Sequence, residues 1–354
     1  VIAVITGIVS WTVIAMIAVI LAIIVIMAIT VQNPETPKLS PAQSRHRSVK
    51  QLILFLAFAF CNASLSAQPA AVQQTDSFTV PFEVHANLIF VKAMLNDKEE
   101  YFVFDSGAPM LVLNSDHFDT KEIIKATVDA EGVGGKTEVG MYHLKSFNWY
   151  GIEKKFEDVV TMSLGHLEKS AKHEFAGFIG FALFEDYQIT FDYKRKLLTF
   201  LGTDFDGNVR NNKMEDSSNY VQVPFSMKGH IPVFTATINN KNYTMGLDCG
   251  AGSNLLYAKY IPELEENISK LKTRSLKGVA DNSSKIKAAK VDKTLVGGLA
   301  YEHMNYAFED ATLSQISEGY GLNIDGLLGY EFLKERKTVV NYRKGKMFIE
   351  KSEK

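Results

Sequence analysis

The sequence predicts a mostly β protein built from two copies of one unit, and three observations carry that prediction. The first is a repeat: Val80-Pro81-Phe82 returns as Val223-Pro224-Phe225. The second is what keeps that register without a gap: Asn96 meets Asn239, Lys98 meets Lys241, Asp105-Ser106-Gly107-Ala108 meets Asp248-Cys249-Gly250-Ala251, and Leu113 meets Leu256. Self-similarity at a fixed offset marks a repeated structural unit. The third is local. Apolar runs broken by Asn/Asp pairs read as β-hairpins, and Leu88–Leu95 breaks at Asn96-Asp97 just as Ile231–Ile238 breaks at Asn239-Asn240.

Each element can be justified in chain order. Residues 1–31 carry no charge and are dominated by Ile, Val and Ala. Such a run is long enough to cross a bilayer, and it reads either as a membrane span or as an extension ahead of the true start, which Val49 would suit. Residues 45–67 follow the order of a signal peptide: Arg45, Arg47 and Lys50, then an apolar core from Leu52 to Phe60, then small residues to Ala67. Cys61 follows a bulky Phe60, so lipidation is the weaker reading. The basic residues favour the cytoplasmic side. Everything after Gln68 is therefore expected to be exported, to a periplasm, a cell envelope or the medium, with the membrane touched only through the N-terminal segment. Residues 68–78 read as a linker, 79–205 as the first copy and 206–354 as the second.

Within each copy an apolar strand runs into Asp-x-Gly: Phe102–Phe104 into Asp105, and Met245–Leu247 into Asp248. A carboxylate leaving a buried strand is costly unless something compensates for its desolvation. Later in each copy comes an apolar segment ending in Gly: Phe175-Ala-Gly-Phe-Ile-Gly180 and Ile324-Asp-Gly-Leu-Leu-Gly329. A tail follows each, Ile189–Tyr193 and Thr338–Tyr342, in which Asp192 and Asn341 read as turn or surface groups. Helical pattern is sparse, with Leu264–Leu271 the best candidate.

These paired motifs resemble the pepsin/retropepsin superfamily of aspartic peptidases, in its bacterial-type two-lobed form, over nearly all of residues 79 to 350. The resemblance implies an all-β, bilobal acid-protease fold of two retropepsin-like β-barrel lobes. It also implies a catalytic dyad of Asp105 and Asp248, supported by Ser106, Gly107, Ala108, Cys249, Gly250, Ala251, Gly180 and Gly329. Two carboxylates sharing a site cannot both ionise readily, so they share a proton and titrate as a unit. One then acts as base on a water while the other polarises the scissile carbonyl. Two departures stand out. Cys249 occupies a position where the family has Thr or Ser, and a thiol hydrogen-bonds weakly. Ala108 and Ala251 lack the hydroxyl that pepsins place there, which predicts raised dyad pKa values and activity at milder acidity.

The implied activity is that of an exported aspartic endopeptidase with peptide or protein substrates. Its active unit would be monomeric, since one chain supplies both loops. The rival is a catalytically weak or inactive peptide-binding protein on the same fold. Ala130–Thr137 fits a relaxed phosphate-loop pattern, but Val139–Leu144 behind it reads as a strand where such a loop needs a helix. Gly132, Val133, Gly134 and Gly135 are instead the expected tip of a hairpin that serves as the flap, echoed by Gly278-Val279.

Composition excludes other classes. Lys plus Arg (38) nearly balances Asp plus Glu (40), unlike the basic excess of nucleic-acid binders. Two cysteines, one inside the leader, leave no internal disulfide. The eight His show no zinc-ligand spacing and read as structural or surface groups. No cofactor and no metal are expected.

Overall fold

A computed structural model describes residues 76–132, 135–210, 217–277 and 283–351. The segments 1–31 and 45–67 lie outside them. No helix among the described residues is long and apolar enough to cross a membrane.

The N-terminal half contains eleven strands. They are β1 (Ser77–Pro81), β2 (Glu83–His85), β3 (Leu88–Leu95), β4 (Lys98–Phe104) and β5 (Val112–Asn114). Then come β6 (Ile123–Gly132), β7 (Gly135–Trp149), β8 (Ile152–Met162), β9 (Gly177–Ile179), β10 (Tyr187–Asp192) and β11 (Leu197–Gly202). The C-terminal half matches them with β12 (Tyr220–Pro224), β13 (Ser226–Lys228), β14 (Ile231–Ile238), β15 (Lys241–Leu247) and β16 (Asn254–Leu256). Its remainder is β17 (Lys272–Lys277), β18 (Ser283–Val296), β19 (Leu299–Phe308), β20 (Gly326–Leu328), β21 (Thr338–Asn341) and β22 (Lys346–Glu350).

The strand order in one eight-stranded sheet is β2-β3-β4-β9-β5-β8-β7-β6, with β3 also pairing β7. In the other it is β13-β14-β15-β20-β16-β19-β18-β17, with β14 also pairing β18. Position for position the two orders are the same. The extra pairing curls each sheet back onto itself, which makes it barrel-like. A third sheet, β1-β11-β10-β21-β22-β12, takes three strands from each half. Its seam is β10 against β21, antiparallel, with Gln188 opposite Asn341 and Phe191 opposite Thr338.

The hairpins form where the Asn/Asp pairs predict them. Asn96 and Asp97 have φ of 47° and 65°, Asn239 and Asn240 48° and 56°. Positive φ at both central residues is the type I′ turn, whose twist suits paired strands, and Asn and Asp tolerate it best among residues with a side chain. Asn96 is tied further, its Oδ1 accepting from the Lys145 and Ser146 amides at 3.1 Å. The main core runs through both halves and the shared sheet, with Phe104, Trp149, Phe191 and Phe200 on one side and Met245, Phe332, Val340 and Ile349 on the other.

Three expectations change. The linker ends earlier than residue 78: β1 already includes Ser77 and Phe78, because Phe78 stacks on Phe200 with ring centroids 4.6 Å apart. No helix spans Leu264–Leu271. Helical turns stop at Asn267, and Ile268 is extended and bridges to Val291, so sheet pairing outweighs the local helical pattern. The longest helix among the described residues is Ala311–Tyr320. Asn341 is not a surface group: it is buried, and its Nδ2 donates to Gln188 Oε1 and to the Gly207 carbonyl. Its Oδ1 accepts from the Lys344 amide, so the turn role stands. Asp192 likewise accepts from the Arg195 amide at 2.9 Å.

Candidate active site

Strands β4 and β15 each end against a parallel neighbour, β9 and β20, and each delivers its Asp at that point. The Asp105 amide donates to the Ile179 carbonyl at 3.1 Å, and the Asp248 amide to the Leu328 carbonyl at 3.0 Å. The next residue in each neighbour is the predicted glycine, and its lack of a side chain is required. A Cβ on Gly180 would lie 2.2 Å from the Met110 carbonyl oxygen, and one on Gly329 2.2 Å from that of Ala251. The chain after each glycine then fastens the Asp loop: the Phe181 amide donates to the Ala108 carbonyl at 2.8 Å, and the Tyr330 amide to the Ala251 carbonyl at 2.9 Å.

The two loops meet. A Cβ on Gly107 would lie 2.6 Å from Asp248 Oδ2, and one on Gly250 2.0 Å from Asp105 Oδ1. Each glycine therefore lies against the carboxyl of the opposite half. Asp105 Oδ1 accepts from the Gly107 amide at 2.7 Å and the Ala108 amide at 3.3 Å. Asp248 Oδ1 accepts from the Gly250 amide at 2.9 Å. Both side chains keep some access to solvent but are hemmed in by protein. That burial holds both carboxyls above the ordinary range, and for Asp105 the charge of Asp248 adds to it. The backbone donors oppose the rise without cancelling it.

Behind the carboxyls, Ser106 and Cys249 are buried and lock the halves together. The Cys249 amide donates to Ser106 Oγ at 2.9 Å, and the Ser106 amide donates to Cys249 Sγ at 3.2 Å. The thiol also donates to the Phe104 carbonyl at 3.5 Å. Burial, reinforced by the two aspartates, pushes its pKa far up, so it stays a protonated thiol. Thus Cys249 takes up the hydrogen-bonding position in which the resemblance leads one to expect a hydroxyl.

One group escaped the sequence reading. His230, buried at the β13–β14 turn, has Nε2 2.8 Å from the Gly107 carbonyl oxygen. A carbonyl only accepts, so Nε2 carries the proton. Burial lowers the imidazole pKa, opposed by the Gly107 bond and the charge of Asp248. In the repeat register His230 corresponds to Asn87, whose Nδ2 donates to the Gly252 carbonyl at 2.9 Å. Each hairpin tip thus reaches the opposite Asp loop, and extending the repeat register to the tips would have exposed the pair.

The predicted flap is a hairpin: β6 and β7 pair up to Gly132 opposite Gly135, and Val133 and Gly134 lie outside the described residues. Gly278-Val279 also falls outside them. The strand after Gly135 rules out a phosphate loop, which needs a helix there.

A family model described as aspartyl protease matches residues 234–332, a span holding Asp248 and Gly329. The fold and this match define the class, a mostly β protein resembling the retropepsin-like aspartyl proteases. More particularly, the match supports an aspartic protease, a hydrolase acting on peptide or protein substrates. No curated protein matches the chain at a significant level.

Proposed function

We propose that the protein is an aspartic endopeptidase in which Asp105 and Asp248 form one catalytic unit. The observation that carries this reading is the reciprocal approach of the two loops, in which each glycine faces the opposite carboxyl. Two carboxyls brought together in this way share one proton and titrate as a unit. The ionised carboxyl takes a proton from a water as its oxygen attacks the scissile carbonyl carbon. The protonated one gives its proton to the carbonyl oxygen, producing a gem-diol. Return of that proton and protonation of the amide nitrogen break the C–N bond and release two peptides.

The β6–β7 hairpin fits the role of a flap closing over an extended substrate, which sheet edges would hold through backbone hydrogen bonds. Because one chain contributes both loops, the active unit is a monomer. The basic, apolar and small-residue order of segment 45–67 supports an exported enzyme.

The test is cleavage of a peptide library from mild to acid pH, with and without a statine-type inhibitor. Wild type should cleave and be blocked by the inhibitor, while Asp105→Asn and Asp248→Asn should each be inactive. No cleavage by wild type, or equal cleavage by the Asn variants, rejects the reading.

A further inference from the structure

A second cluster of reactive side chains lies on the edge of the N-terminal sheet, outside the machinery described above. Glu83 and His85 stand two residues apart on β2, and so share a face. His173 comes from the connection between the helix Gly165–Ala171 and β9. One donor atom from each of the three lies within 4.8 Å of the others. His85 Nε2 is 3.0 Å from Glu83 Oε2, and the His85 and His173 rings are 4.2 Å apart.

Two further contacts orient this set. His173 Nδ1 is 2.8 Å from the Glu174 carbonyl oxygen, so Nδ1 holds the proton and Nε2 keeps its lone pair. That is the tautomer, fixed by a backbone carbonyl, in which histidine ligates metals. The Tyr101 hydroxyl donates to Glu83 Oε1 at 2.7 Å, turning the other carboxylate oxygen toward His85. Phe90 backs both imidazoles, with centroids 5.1 Å from His85 and 4.8 Å from His173. The corresponding positions of the C-terminal half hold Ser226, Lys228 and Leu322. The same sheet is built there without these groups, so the architecture does not require them.

We propose that Glu83, His85 and His173 bind a divalent transition cation of the zinc class. Two imidazoles and a carboxylate suit zinc and its neighbours, whereas calcium and magnesium demand oxygen shells. Metal–ligand bonds of about 2.0–2.1 Å place tetrahedral donors roughly 3.3 Å apart, within reach of side-chain rotation here. Ligation through His85 Nε2 uses the tautomer with its proton on Nδ1, so the cation takes the place of the His85–Glu83 hydrogen bond, and water completes its shell. Binding ties edge strand β2 to the segment that enters β9, so its effect is on stability rather than on peptide cleavage.

Cobalt(II) titration of the full chain, followed by visible absorption, tests this. Wild type should show saturable d–d bands at one equivalent, displaced by zinc(II), and zinc should raise its melting temperature. His85→Ala, on a short edge strand, and His173→Ala should each lose the bands and the zinc-induced shift. Tyr101→Phe should weaken binding about 10-fold or more, since outer-shell partners act at that scale; adventitious binding to surface histidines would not respond. No saturable bands in wild type, bands unchanged in both histidine variants, or full affinity in Tyr101→Phe would overturn the site.

Discussion

The Ser106 hydroxyl accepts a hydrogen bond from the Cys249 amide at 2.9 Å, and the Cys249 thiol accepts one from the Ser106 amide at 3.2 Å. The exchange joins the two halves directly behind the candidate carboxyls. Its worth lies less in bond strength than in the buried donors it satisfies, since an unsatisfied buried amide costs about 1–3 kcal/mol.

Cys249→Ala should therefore destabilise the protein by about 1–3 kcal/mol, read by guanidinium denaturation, because the Ser106 amide loses its acceptor. Cys249→Ser should keep the lock, with peptidase activity of the same order as wild type. An alanine variant as stable as wild type would show that the thiol contributes nothing.

The carboxyl pair sets a pH dependence with an uncommon sign. Both groups are raised in the folded state, so that state binds more protons than the unfolded chain above about pH 4. Stability is then fully present at low pH and falls as pH climbs from the ordinary carboxylate range toward the folded values. Asp105→Asn should flatten this slope and raise stability at neutral pH while abolishing cleavage. Melting temperatures across pH 3 to 8, on the order of one reading per unit, check it.

His230 works the other way. Its folded pKa is lowered, so it costs stability as pH drops through the unfolded value of about 6.5. His230→Asn places the residue found at the matching Asn87, a donor that does not titrate. It should lessen the loss of stability on acidification and retain activity. His230→Ala leaves the Gly107 carbonyl short of a donor and should cost about 1–3 kcal/mol. Equal acid sensitivity in wild type and the Asn variant would remove His230 from this account.

Gly329→Ala should be worse than an ordinary surface change. The new methyl meets the Ala251 carbonyl oxygen at 2.2 Å, and overpacking of this kind costs about 1–3 kcal/mol. The shift passes directly to the Asp248 loop, where misplacement by about 1 Å can cost roughly 10²-fold in rate. Activity should thus fall far more than melting temperature. Parallel losses would indicate general unfolding instead.

Much of this was legible in the sequence because it repeats. Asn96-Asp97 and Asn239-Asn240 announce their turns by residue type, and Asp105, Asp248, Gly180 and Gly329 by their shared register. Contacts between distant stretches of the chain are not marked in this way. Ile268 was drawn into a helix by its neighbours, whereas its partner Val291 lies on a strand that no local window contains. His230 looked like a lone histidine because its Gly107 partner sits in the other half. His85 and His173 show no ligand spacing, since only the folded sheet brings them together.

The shared sheet gives the halves a second connection besides the covalent link between them. The rungs from Gln188–Asn341 to Phe191–Thr338 join residues far apart in the chain, and none of them involves the stretch from Gly202 to Tyr220. A backbone cut in that stretch leaves those four rungs in place. Each fragment would carry one of the two aspartates and three strands of the shared sheet.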